Sequence, residues 1–265
     1  MCLLIFAHRT SDRLPLVVAA NRDEFHARPT AAAQFWPEAP LLLAGKDLQA
    51  GGTWMGITRS GRFAAITNFR RSTDPEQAAR SRGHLTTDFL LGKDSPEDYM
   101  TAIAPYGEDY GGYNLLLGAG AELWYHCNVG RQLPQSLAPG LYGLGNTFLD
   151  NAWPKIELGK QRLCDLLASG DMNHAALATV VGNREPANPH QLQEFGLTGP
   201  MDAFLSAQFI QGAEYGTRAT TSLWLQADGQ IHWREQSFQP TGAAKGVSEF
   251  QFQLEPSTPV QSTGA

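Results

Sequence analysis

The order of periodic segments predicts a sheet-rich α+β layered domain, with strands opening the chain, helices in its middle and strands returning at its end. Apolar and β-branched runs bounded by turn residues mark the two outer portions. The middle portion instead carries apolar residues at helical spacing behind serine and asparagine starts.

Cys2 to Arg9 is apolar enough for a buried strand, and Ser11-Asp12-Arg13 supplies a turn. Leu16 to Ala20 returns as its partner and delivers Asn21-Arg22-Asp23-Glu24 at the far end, back towards Cys2. Trp54 to Ile57 and Arg62 to Asn68 read as a second strand pair around Ser60-Gly61. Ser81 to Leu91 and Ser95 to Ile103 each open on serine, and Pro96 takes the first helical position of the latter. Tyr113 to Leu117 and Glu122 to Cys127 flank Gly118-Ala119-Gly120 as a third strand pair.

Trp153 to Leu167 is helical, with Ile156, Leu163, Leu166 and Leu167 on one stripe and Gly170 as its stop. Asn173 caps a short helix to Val181, and a loop rich in proline and asparagine runs from Asn183 to Pro189. Thr217 to Gln226 and Gln230 to Phe238 flank Asp228-Gly229, a strong hairpin signal. Phe250, Phe252 and Leu254 alternate with glutamines, as a last strand with one buried face would. The domain is expected over residues 1–254, with a polar, disordered tail over 255–265.

Composition narrows the function classes. Hydrophobic residues at 42% and charged residues at 17% describe an ordinary globular protein of 265 residues. A net charge of -6 argues against nucleic acid as a partner. The apolar stretch from Cys2 to Ala7 is far short of the ~20 residues that span a bilayer. His8 and Arg9 follow that stretch, whereas a secretory signal carries its positive charge in front, so a cytoplasmic protein is expected. Cys2, Cys127 and Cys164 are odd in number and scattered, which implies no disulfide framework. Cys127 and Cys164 lie in a strand and a helix, where buried, inert thiols are expected. His126 and Cys127 are neighbours on a strand and point to opposite faces, a poor metal pair, so no metal is assigned. Trp54, Trp124, Trp153, Trp224 and Trp233 read as core or core-edge residues, with lining of an apolar pocket the alternative for a few of them.

Chemistry gathers at Cys2. Removal of Met1 would leave a thiol and a free α-amine on one residue. An α-amine has a pKa of roughly 7.7 to 8.0, so near neutrality part of it is a base. One residue then supplies both nucleophile and base. Such a nucleophile needs a cation to favour the thiolate, a carboxylate to hold the amine, and amide donors for an oxyanion. Arg22 and Asp23 are candidates for the first two, and Asn21, Asn68 and Asn146 for the donors. Taken singly, Cys2 is a small residue opening a strand and Asn21 to Glu24 a polar strand end. Their meeting on one hairpin is what points to a site.

Met1-Cys2 followed by Asn21-Arg22-Asp23-Glu24 resembles the NRDE, or transport and Golgi organisation, family. The resemblance continues through Gly51-Gly52-Thr53-Trp54, Thr67-Asn68-Phe69-Arg70, Ser81-Arg82-Gly83 and Tyr113-Asn114-Leu115. It resumes at Gly143-Leu144-Gly145-Asn146, Trp153-Pro154-Lys155 and Tyr215-Gly216-Thr217-Arg218, covering nearly the whole chain. The family is similar to N-terminal-nucleophile (Ntn) hydrolases of the choloylglycine hydrolase and penicillin V acylase type. The resemblance therefore implies a four-layer αββα sandwich. It also implies Cys2 as nucleophile, Asp23 orienting the amine, Asn146 lining the oxyanion hole, and Arg218 near the thiol or a substrate carboxylate. Trp54, with Asn21 and Asn68, is assigned to ligand binding.

One departure stands out. Those hydrolases read Arg-Asn-x-Asp, whereas Ala20 fills the arginine's place here and the arginine is Arg22. Two positions along a strand keep the face but move the side chain by about 6 to 7 Å, so the cation is expected to be displaced. Two functions follow. The first is a cysteine amidohydrolase acting on a small acyl amide or related C–N bond, with no cofactor. The second is a non-catalytic carrier using the same cleft for haem or an acyl lipid, for which members of the family have been implicated. His8 and His26 are the histidines expected nearest its mouth.

Overall fold

The computed structural model describes residues 2–70, 78–130, 132–195 and 199–255. Met1 and the tail from Pro256 to Ala265 lie outside the described residues.

The first hairpin is β1 (Cys2–Ser11) and β2 (Leu14–Phe25). Next come β3 (Thr30–Trp36), β4 (Ala39–Asp47), β5 (Met55–Thr58) and β6 (Phe63–Asn68). Helices α1 (Arg82–Leu91) and α2 (Pro96–Ile103) lead into β7 (Tyr113–Ala119), β8 (Glu122–Cys127), β9 (Gln135–Ser136) and β10 (Gly140–Leu144). Helices α3 (Pro154–Ser169), α4 (His174–Thr179), α5 (Pro189–Glu194) and α6 (Pro200–Leu205) precede β11 (Tyr215–Leu225), β12 (Gln230–Phe238) and β13 (Ala244–Gln253).

The strands form two antiparallel sheets, ordered β10-β1-β2-β11-β12-β13 and β3-β4-β5-β6-β7-β8-β9. Leu4, Phe6 and Val18 of the first sheet meet Leu43, Ile57 and Leu116 of the second in a buried core between them. Phe89 and Met100 of α1 and α2 cover the outer face of the second sheet against Leu115 and Leu117. Ile156, Leu163 and Leu177 of α3 and α4 cover the first sheet against Leu3, Ile5 and Val17. The result is a four-layer αββα sandwich. Among the described residues no helix is long and apolar enough to cross a membrane.

Local signals formed where the chemistry dictated. Ser95 accepts from the Asp98 amide to cap α2, Asn173 caps α4 through the Ala176 amide, and Gly170 ends α3 in the left-handed conformation. Cys127 enters the core between the sheets while its neighbour His126 meets Tyr113 on the other face.

Other elements were not legible. β3 is an edge strand of small residues with no clean alternation. β10 carries Gly140 and Gly143, which weaken any strand pattern. Gly143 is required nonetheless, because a Cβ there would lie 2.3 Å from Ile156 Cγ2 of α3. α5 and α6, at six residues each, are too short to develop a periodic stripe. Two expectations are corrected. Cys164 is exposed, on the solvent side of α3. His8 pairs with Leu16 towards the turn end of the first hairpin, far from Cys2.

Candidate active site

On β1 and β2 the even-numbered side chains face the opposing sheet and the odd-numbered ones face α3 and α4, as Leu4 and Leu3 illustrate. Cys2 and Arg22 are direct cross-strand partners and share the inner face at the open end of the sandwich. Ala20 pairs with Leu4, one pleat deeper in the core. Arg22, at the strand end, therefore stands beside the thiol, whereas an arginine at position 20 would sit among core residues.

The Arg22 side chain is 6% exposed. Its guanidinium lies over the Trp54 ring, 4.2 Å from the centroid, and its Nη1 has no hydrogen-bond partner among the described residues. Burial pushes the Cys2 thiol up from its ordinary pKa, and the Asp23 carboxylate adds to this. The Arg22 charge and a hydrogen bond from the Asp23 backbone amide pull the other way.

Asp23 is buried on the helix-facing side of β2. One step beyond the Cys2–Arg22 pair in the antiparallel ladder, it stands level with the nitrogen end of Cys2. Thr217 of β11 donates to its Oδ1 at 2.6 Å, and the Tyr215 hydroxyl donates to its carbonyl oxygen at 3.1 Å. Burial raises the Asp23 pKa, opposed by the Thr217 bond and by the charges of Lys155 and Arg22.

Asn146 lies two residues past the end of β10, where the chain bends: the Gly145 carbonyl accepts from Thr67 at 2.6 Å and the Asn146 carbonyl from the Arg70 amide at 2.8 Å. Its Nδ2 donates to the Asn68 carbonyl at 2.7 Å, and its buried Oδ1 has no hydrogen-bond partner among the described residues. Asn68 and Trp54 line the cleft with Cys2.

Two other candidates are engaged by partners outside the Cys2–Arg22 pair. Asn21 is buried towards the helices, donating to the Val181 and Gln208 carbonyls and accepting from Thr220. Arg218 is the extra residue of a bulge, since Thr217 pairs with Asp23 and Ala219 with Arg22. Its Nη1 donates to the Phe25 and Arg28 carbonyls at 2.8 and 3.1 Å, and burial, with the nearby Arg22 charge, lowers its pKa.

The cleft in front of Cys2 has a volume of about 440 Å³ and is lined on its far side by the first turn of α1. An adjoining hollow of about 590 Å³ shares Glu24 and Asn68 with it. Phe25, Met201, Phe204, Leu205 and Tyr215 make the walls of that hollow largely apolar. Among the described residues no cluster of three or more histidine, cysteine or acidic groups could hold a metal ion.

Residues 1–240 match the family model described as Transport and Golgi organisation 2. The chain belongs to that family. A Transport and Golgi organization protein 2 homolog from Bos taurus is 33% identical over 278 residues, covering 96% of this chain and all of that one. A Caenorhabditis elegans N-acylethanolamine-hydrolyzing acid amidase ortholog superposes with a TM-score of 0.44 at 11% identity, covering 84% of this chain and 92% of that one. A mutant conjugated bile acid hydrolase from Clostridium perfringens gives 0.43 at 9% identity, covering 96% and 98%. At these scores the likeness carries nothing about chemistry, and the name of the Transport and Golgi organisation 2 family specifies no reaction.

Within this family member the sequence concealed one residue of the site. Lys155, in the first turn of α3, is buried and donates to the Leu205 carbonyl at 2.7 Å. Burial lowers its pKa to about 8, against the favourable charge of Asp23. A cation at the positive end of a helix is unfavourable by itself. A lysine immediately after Trp153-Pro154 was thus a signal that a carboxylate lies opposite.

Proposed function

We propose that this protein is an N-terminal-nucleophile amidohydrolase acting on a small acyl amide or related C–N bond through Cys2. The observation that carries this reading is the pairing of Cys2 with Arg22 at the cleft, with Asp23 one ladder step further on. With Met1 removed, the new α-amine emerges level with Asp23, whose carboxylate orients it. The amine takes the thiol proton, and the thiolate, favoured by the Arg22 charge, attacks the acyl carbonyl carbon. Asn146 is assigned to the oxyanion through the second hydrogen of its amide. The C–N bond breaks, the leaving nitrogen takes the proton back from the ammonium, and a thioester remains on Cys2. Water, deprotonated by the same amine, hydrolyses the thioester to a carboxylic acid and restores the thiol.

Turnover of a panel of N-acyl amides, followed by mass spectrometry, tests this on protein whose mature N-terminus is Cys2. Hydrolysis should fall to background in Cys2→Ala and in protein carrying an uncleaved N-terminal extension. A Cys2→Ala variant with undiminished turnover removes the reading.

The apolar hollow beside the cleft favours a second reading, a carrier for haem or an acyl lipid. Among the described residues neither the cleft nor the hollow is lined by a histidine. His26 is committed through Nε2 to the Gly212 carbonyl, and its Nδ1 is buried. Haem seated in the hollow, which Cys2 does not line, would be held by apolar contact, and Cys2→Ala should give the same saturable Soret shift as wild type.

A further inference from the structure

The cleft carries more positive charge than this acidic chain leads one to expect. Its lining includes four arginines, Arg22, Arg28, Arg80 and Arg82, against three carboxylates, Asp23, Glu24 and Asp47. Arg28 is neutralised by Asp47, through contacts of 2.6 and 2.9 Å. Arg80 is exposed, with Asp109 at 3.7 Å. Arg82 donates to the Gly112 carbonyl at 2.8 Å, which fixes its charge at the cleft wall.

The wall itself is the start of α1, a helix of ten residues. Its Ser81 makes no side-chain cap and its first turn holds no acidic residue. The first amides of a helix have no intrahelical acceptor and form the positive end of its dipole. The loop before β5 packs directly against this turn: a Cβ on Gly52 would lie 2.5 Å from the Gly83 carbonyl carbon. Across the same cleft, buried Arg22 presents Nη1 without a hydrogen-bond partner among the described residues. A buried guanidinium nitrogen without a hydrogen-bond partner among the described residues, facing a helix start that carries Arg82 at its first position and Arg80 just before the N-cap, favours an anion between them.

We infer that this cleft contains an anion subsite, formed by Arg22, Arg80, Arg82 and the first turn of α1. It takes the carboxylate or phosphate of an amphipathic acyl compound whose chain lies in the adjoining hollow. The subsite deepens the amidohydrolase reading, since Cys2 then faces the carbonyl between the two ends. It is tested by binding alone, on protein that cannot turn over.

Calorimetric titration of Cys2→Ala protein compares N-dodecanoylglycine, dodecyl phosphate and N-dodecanoylethanolamine, which share a chain and differ in head-group charge. At least one anion should bind about tenfold or more tightly than the neutral amide, the scale of hydrogen bonds to a charged group. The tighter of the two identifies the head group. Adding Arg22→Gln should abolish the preference. Adding Arg80→Gln, at an exposed position that leaves the fold intact, should weaken it severalfold. Equal binding of all three compounds, binding of neither anion, or a preference unchanged in Arg80→Gln and in folded Arg22→Gln overturns the subsite. Hydrolysis of a neutral amide by wild-type protein would meanwhile leave the enzyme reading standing.

Discussion

Cys2 and Arg22 face each other across adjacent antiparallel strands, on the side of the sheet that looks into the sandwich. Directly opposed Cβ atoms in such a ladder lie about 4.5–5.5 Å apart. The two-position shift noted in the sequence therefore brings the arginine to the nucleophile's own level, because β1 begins at Cys2 and Ala20 faces Leu4 deeper in.

Loss of the Arg22 charge should disfavour the Cys2 thiolate. An opposite charge within ~4–6 Å moves a pKa by about 1–3 units, so Arg22→Gln should raise the thiol pKa by at least one unit. Alkylation of Cys2 near pH 7.5 should slow by about tenfold, read by peptide mapping because exposed Cys164 reacts independently. An unchanged pH profile for Cys2 would mean that the guanidinium does not act on the sulfur.

Thr217 ties Asp23 to the rest of the sheet. Its hydroxyl donates to Asp23 Oδ1 at 2.6 Å and accepts from the Ile210 amide at 2.8 Å. Thr217→Val keeps the shape and strips both bonds, leaving a buried carboxylate oxygen and amide to bear the cost, about 1–3 kcal/mol. Urea denaturation should register that loss, and Thr217→Ser should restore most of it. Equal stability of the valine variant would show that Asp23 is held by its other contacts.

Much of this arrangement was legible because it depends on local chemistry. Asp228-Gly229 fixes the hairpin of β11 and β12, and the first turn returns Asp23 to the level of Cys2. What escaped depends on distant parts of the chain. β10 is glycine-rich because α3 presses Ile156 against it, and only the fold tells which helix does so. Lys155 belongs to the site through Asp23, far along the sequence and across a layer boundary. Arg218 matched a motif residue, yet the bulge after Thr217 and the carbonyls of Phe25 and Arg28 decide where its charge rests. A motif names residues; bulges and packing determine the direction in which they point.

Glu235 makes the last prediction. It is 2% exposed, on β12, and its Oε1 accepts from the Ala33 amide at 2.7 Å across to the other sheet. Its Oε2 is buried without a hydrogen-bond partner among the described residues. Burial raises its pKa from 4.5 to about 7, against the Ala33 bond and the Arg22 charge. The folded state therefore binds this proton more tightly than the unfolded chain does. The associated stability is fully present below pH 4.5 and is lost as the pH rises through 7. At 1.36 kcal/mol per unit the loss is on the order of 3 kcal/mol. Glu235→Gln keeps the acceptor for Ala33 and removes the titration. In urea denaturation the variant should gain on wild type steadily between pH 5 and pH 8, by up to that amount. A stability difference between the two proteins that stays constant over this range would mean that Glu235 is ionised in the fold throughout, with its charge held by Arg22.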